Sequence, residues 1–280
     1  MDNNNYNNYN NYDQMGGTQN PQQNGYINGY PMNYNNRANY NQRMGDGNVG
    51  GIQGAFSQAR ELFQQKVVAY SFLFMVVALG ITAVGAYVGA DVMFKMMFDN
   101  PGIMFILAIA EIATVIVANI ALKKNNVVLS AALLTAYSFV NGATIGVICK
   151  YGYEMASVAQ VFVITCVMFG ITAFYGLVCK KDLSSVGGLC FMGLIGLIVA
   201  GIINMLFFRG ENSTFSLIAS VIGVAVFVGL TAYDTQKIKE KTAFADENNV
   251  LALSINGALE LYLDFINLFL YLLRLFGKRR

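Results

Sequence analysis

The sequence predicts an all-α membrane protein with seven transmembrane helices. Three observations point there. Of 280 residues, 55% are hydrophobic and only 12% charged, about half of the roughly 25% charged usual in a soluble domain. The mean hydropathy is +0.47 even though the head of the chain is strongly polar. Behind that head, apolar runs recur at about 20 residues, the length a helix needs to cross a bilayer core of ~30 Å. An ordinary cytosolic enzyme is excluded. The chain has no histidine, so a Ser-His-Asp triad, a His metal ligand and an imidazole pH switch are excluded too. A net charge of +2 argues against nucleic acid as a partner, because that needs a basic surface.

Residues 1–55 are a low-complexity stretch of Asn, Tyr, Gln and Gly, with two of the chain's three prolines, Pro21 and Pro31. Almost without Leu, Ile or Val, this tail buries too little apolar surface to offset its ordering entropy, so disorder is expected. Its spaced tyrosines suit weak self-association or partner binding. It lacks the basic stretch and apolar core of a signal peptide. Residues 56–280 are read as one seven-helix domain. At its start, Ile52, Ala55, Phe56, Ala59, Leu62 and Phe63 step by three or four, which predicts a short amphipathic helix over 52–66 on the membrane surface.

The seven runs fall at about 67–90, 102–122, 127–149, 155–179, 184–208, 214–236 and 250–274. Pro101 stands at the first turn of the second, where proline is tolerated. The breaks are short and polar, so consecutive helices are expected to be antiparallel neighbours. Gly187, Gly188, Gly193, Gly196 and Gly201 are small residues of the kind that let membrane helices approach closely. Cys149, Cys166, Cys179 and Cys190 show no C-x-x-C spacing and read as small apolar residues in the bilayer. Charge bias orients the bundle. Arg60, Lys66, Lys123, Lys124, Lys180, Lys181, Lys237, Lys239 and Lys241 share one side, against Lys95, Lys150 and Arg209 on the other. The N-terminus is therefore expected in the cytoplasm. Arg274, Lys278, Arg279 and Arg280 conflict with this bias, unless the last helix does not fully cross.

An ionisable residue inside a span is costly and marks function by default. Four acids stand out: Glu111 in the second run, Asp234 near the end of the sixth, and Glu260 and Asp264 in the seventh. In the seventh run, Asn256, Glu260, Asp264, Asn267 and Tyr271 are spaced by three or four and share one face. The stripe is about 22 Å long, enough to line much of a pore. A lipid-facing helix does not carry such a stripe, so this helix is expected to be enclosed or to line water. The reading divides between an ion or proton pathway and a satisfied interhelical hydrogen-bond network. No basic residue is expected deep in a span. Burial without a cation favours the protonated carboxyl, and two carboxyls sharing a site titrate together, which supplies pH sensing without histidine.

Two segments carry a resemblance. Leu261-Tyr262-Leu263-Asp264-Phe265-Ile266-Asn267-Leu268-Phe269-Leu270-Tyr271-Leu272-Leu273-Arg274 and the upstream Tyr233-Asp234-Thr235-Gln236-Lys237-Ile238 closely resemble the signature of the Bax inhibitor-1 family, over about residues 55–280. The resemblance implies two three-helix layers around a central C-terminal helix. It implies a pH-sensitive calcium leak, sensed by an aspartate pair that the motifs place at Asp234 and Asp264. In some members a basic residue late in the second span pairs with this site; here Lys123 and Lys124 follow Leu122 at that end.

The expected function is thus a calcium leak channel and not an enzyme, with calcium as transported ion and no cofactor. Asp234 and Asp264 form the sensor and gate. Glu111, Tyr233, Asn256, Glu260 and Asn267 form the supporting polar pathway, since hard cations take carboxylate and amide oxygens. Two alternatives are weighed. An intramembrane aspartyl protease also needs paired aspartates, but Asp264 follows Leu261-Tyr262-Leu263 rather than Gly-x-Gly, and no proline follows Pro101. A non-conducting regulator would act through protein partners on the tail. A retinal protein is excluded, because the seventh run has no lysine for a Schiff base. The compact layout suits a bacterial plasma membrane, with a eukaryotic endomembrane as the alternative.

Overall fold

The computed structural model describes residues 26–27, 30–31, 49–100, 102–103, 127–208, 213–242 and 250–280. The chain divides into two units, Met1–Gly47 and Asn48–Arg280. In the first, strand β1 (Tyr26–Ile27) pairs antiparallel with β2 (Tyr30–Pro31). Of the tail expected to be disordered over 1–55, residues 49–55 are instead the start of a helix, and the remainder, β1 and β2 apart, lies outside the described residues.

The second unit is built from α1 (Val49–Asp99), α2 (Val127–Gly152), α3 (Met155–Val178), α4 (Ser184–Phe208), α5 (Ser213–Lys241) and α6 (Val250–Phe276). Helix α1 corrects two expectations. The amphipathic stretch at 52–66 is no separate surface helix, and the polar stretch from Asp91 is no break, because one helix of 51 residues runs through both. Asp91 is carried within it by Lys150 and Tyr151, each donating to Asp91 Oδ1 at 2.6 Å. Helix α5 likewise continues past 236 to Lys241, since its last turns are covered: Ile238 is 3% exposed. Helix α4 begins after Asp182, which accepts from the Ser184 N–H at 2.8 Å in an Asx turn. Hydrogen bonds from the Ser184 side chain and backbone hold the Asp182 carboxyl below its usual range.

Among the described residues, five helices, α1 to α5, are long and apolar enough to cross a membrane. Helix α6 is not among these five; it carries Glu260, Asp264 and Arg274 along its length. The predicted run at 102–122 lies outside the described residues except for Gly102 and Ile103. The outer surface is apolar: Leu189, Met192, Ile171 and Phe174 are among many large side chains left exposed. A contiguous apolar exterior of this extent is stable only against lipid, and the chain is an integral membrane protein.

Helix α6 lies at the centre. It packs against α1, α2, α3 and α5, and Leu261, Tyr262 and Leu268 are fully buried. Phe265 meets Phe162 and Phe169 of α3 edge-on, at 5.7 and 5.4 Å between centroids, the geometry aromatic quadrupoles favour. The other described helices fall into two groups around it, α1 with α2, and α3 and α4 with α5. Short breaks therefore do not make every consecutive pair neighbours. Helices α2 and α3 run antiparallel yet barely touch, because α6 stands between the groups.

Both ends of the bundle are pinned. At one end, Gln236 Oε1 accepts from the Leu183 N–H at 2.8 Å, and its Nε2 donates to the Lys181 carbonyl at 2.9 Å. At the other, the tail beyond α6 forms a β-bridge, Tyr153 with Arg279. There the Glu154 N–H donates to the Lys278 carbonyl at 2.9 Å and Lys278 Nζ pairs with Glu154 at 3.0 Å. Near its start, α6 meets α1, where Ser254 Oγ donates to the Val67 carbonyl at 3.3 Å. Helix α6 therefore runs the full height of the bundle, and its basic tail sits at the end opposite Lys181.

Candidate functional site

The polar stripe of α6 faces α5. The face is set by sequence spacing, and burial agrees with it: Asn256 is 7% and Asp264 4% exposed. Asp264 Oδ2 is buried with no hydrogen-bond partner among the described residues. An orphaned carboxyl oxygen in an apolar bundle is an expense that structure alone does not repay. Asp234, half-buried on α5, lies within electrostatic range of Asp264, as does Glu260. The structure thus brings Asp234, Glu260 and Asp264 to one locus between α5 and α6. Among the described residues, no three Asp, Glu, His or Cys side chains converge tightly enough to hold a metal ion.

The expectation that no cation lies near these acids is corrected. Lys241 Nζ donates to both oxygens of Glu260, at 2.8 and 2.9 Å, and reaches Asn256 Oδ1 at 3.5 Å. Lys241 escaped notice because the helix carrying it was expected to end at 236. Lys237, one turn earlier, is within electrostatic range of Asp234 and Asp264. Its ammonium lies 5.2 Å from the centre of the Tyr233 ring, close enough for cation–π attraction.

The remaining predicted residues divide. Tyr233 faces α4 rather than α6: a Cβ placed on Gly187 would enter its ring. Asn267 donates to the Leu263 carbonyl of its own helix at 2.8 Å. Tyr271 closes the stripe toward the tail, stacked on Phe227 of α5 at 5.8 Å with Arg274 over its ring. Glu111, Lys123 and Lys124 lie outside the described residues.

A second polar cluster, on the opposite side of α6, was not anticipated. The hydroxyls of Tyr262 and Thr82 lie 2.7 Å apart, and Asn141 Nδ2 donates to Tyr262 at 3.1 Å. Thr82 also bonds the Ala78 and Ser138 carbonyls. One hydroxyl thereby joins α1, α2 and α6. Tyr262 sits within the motif quoted above, but an aromatic in an apolar run gives no polar signal of its own.

Residues 64–280 match the family described as "Inhibitor of apoptosis-promoting Bax1". The chain is 41% identical over 221 residues to the inner membrane protein YbhL of Escherichia coli strain K12, covering 77% of this chain and 93% of that protein. It is 35% identical over 228 residues to an uncharacterised protein of Rickettsia prowazekii, covering 80% and 93%. A further uncharacterised protein, from Borreliella burgdorferi, is 34% identical over 223 residues, covering 78% and 94%.

Proposed function

We propose a pH-sensitive calcium leak as the activity of this chain, which belongs to the Bax inhibitor-1 family. One observation carries the reading: Asp264 is buried on the central helix, with an oxygen that lacks a partner among the described residues, in the field of Asp234. Two carboxyls in a low-dielectric site do not both ionise without cost. They share a proton in the closed state, directly or through water. Loss of that proton places two negative charges together, which recruits a cation and separates α5 from α6. Carboxylate and amide oxygens along the stripe are the ligands a hard cation takes in transit.

The seven-span arrangement belongs to the same reading. Helices α1 and α2 run parallel, with Thr82 beside Ser138 at one level and Asp91 bonded to Lys150 at another. The chain leaves α1 at one end of the bundle and enters α2 at the other, and a crossing between them accounts for this. A seventh span fits the layout the family resemblance implies, two three-helix layers around a central C-terminal helix. The lysine-rich end, with Lys180, Lys181 and Lys237, faces the cytoplasm of a bacterium together with the N-terminus.

The experiment is calcium flux into proteoliposomes across pH ~6–8, a window that brackets a carboxyl perturbed by burial. Wild type leaks, and the leak rises as protons are lost. Asp234→Asn and Asp264→Asn, fixed in the neutral form, abolish the pH dependence. Unchanged flux and pH dependence in both variants sink the mechanism. No flux under any condition favours a non-conducting regulator instead.

A further inference from the structure

We infer that the Lys241–Glu260 ion pair is a second gate, set between the aspartate pair and the end of the bundle where α6 begins. The inference rests on the leak reading and adds to it a residue pair outside the aspartate sensor. Glu260 lies one helical turn before Asp264 on the same face. A cation moving along the stripe from Asp264 toward Val250 meets Glu260 and then Asn256. Both Glu260 oxygens are taken by Lys241, and the same ammonium reaches the Asn256 oxygen. The oxygen ligands that would pass a cation are thus occupied by a tethered one. Its fixed positive charge also repels any ion behind it.

The pair is built rather than incidental. The Lys241 side chain is 9% and the Glu260 side chain 22% exposed, where an uncompensated charge is strongly unfavourable. Lys241 is also placed by its own helix end: Thr242 is buried and its Oγ1 donates to the Lys239 carbonyl at 2.6 Å. Among the described residues, the other charged groups in range of the locus are Asp234, Lys237 and Asp264. Displacing the Lys241 ammonium frees two carboxylate oxygens and one amide oxygen.

The test uses full-length protein in calcium-loaded proteoliposomes at neutral pH, with Lys241→Met, Lys241→Glu and the reversal Lys241→Glu/Glu260→Lys. Each variant is first shown to be monodisperse. Amide hydrogen exchange over residues 250–264 is measured on the same samples. Lys241→Met should leak several-fold faster than wild type, Lys241→Glu faster still, and the reversal should return to near the wild-type rate. Exchange should rise and fall in the same order. Flux in Lys241→Met equal to wild type, or a reversal as leaky as Lys241→Glu, overturns the gate. If no protein leaks, including wild type, the channel reading fails separately. The exchange order then still decides whether the pair holds α5 to α6.

Discussion

The hydroxyl of Tyr262 is a single atom with three helices depending on it. It sits 2.7 Å from Thr82 of α1 and accepts from Asn141 of α2, while its own ring is fully buried on α6. Interhelical hydrogen bonds in a bilayer are worth about 0.6 kcal/mol each. Tyr262→Phe should therefore cost about 1 kcal/mol for two such bonds, read as a lower unfolding temperature in detergent. The conservative Thr82→Ser, which keeps the hydroxyl, should cost much less. Equal losses in the two would mean that shape, not hydrogen bonding, sets the site. Asp264 was legible from sequence because a charge inside an apolar run is conspicuous. Tyr262 was not, because its polarity is one atom on a ring that also belongs in a core. Glu260 was visible as an acid on the stripe, yet its partner was hidden by a helix end placed too early. The lysine that satisfies it comes from turns that read as loop until Ile238 and Thr242 are seen to be buried.

At the scale of the element, α1 and α2 approach each other backbone to backbone. Gly85 and Gly89 of α1 and Gly142 and Gly146 of α2 are each spaced by four. A Cβ on Gly142 would meet the Thr82 backbone, and one on Gly146 the Ala86 backbone. Small residues at this spacing let two backbones touch, which is the main source of packing energy where lipid removes the hydrophobic drive. The glycines first noted in sequence behave less uniformly. Gly187 meets Tyr233 and Gly193 meets Val226, but Gly188, Gly196 and Gly201 face nothing within 4 Å among the described residues. Composition marks a helix as glycine-rich without saying which of its faces is covered. Gly142→Leu should thus destabilise by at least the roughly 1–3 kcal/mol of an overpacked core, whereas Gly188→Leu should stay within about 0.5 kcal/mol of wild type. Thermal unfolding of the two variants side by side decides it. Equal tolerance would show that α1 and α2 can part without loss. The stripe on α6 is the opposite case. Its spacing of three and four was readable directly, because a polar face on an otherwise apolar helix has one physical resolution, enclosure by the rest of the bundle.

At the scale of the molecule, the unresolved point was the basic tail. Positive charge collects where the chain is retained, and Arg274, Lys278, Arg279 and Arg280 stand against the lysine-rich loops. The conflict has a local answer at the tail itself. Lys278 is paired with Glu154, and the Arg280 guanidinium donates to the Lys150 carbonyl at 2.8 Å. Part of this charge is thus held in a short bridge with the α2–α3 turn rather than left free. Helix α6, 27 residues long, spans about 40 Å at 1.5 Å per residue, more than a ~30 Å core requires. The bridge then fixes its far end beside Tyr153, and the Gln236 clasp fixes the loop at Lys181 at the near end. Sequence charge statistics alone do not weigh a held cation differently from a mobile one, so the orientation of this helix was not readable from them. In a background lacking Cys149, Cys166, Cys179 and Cys190, Asp182→Cys and Arg279→Cys should react with an impermeant maleimide from opposite faces of sealed membrane vesicles. Labelling of both from one face would mean that α6 turns back within the bilayer. The polar stripe would then open to one side only, and a through-pathway past Glu260 and Asp264 would have no exit.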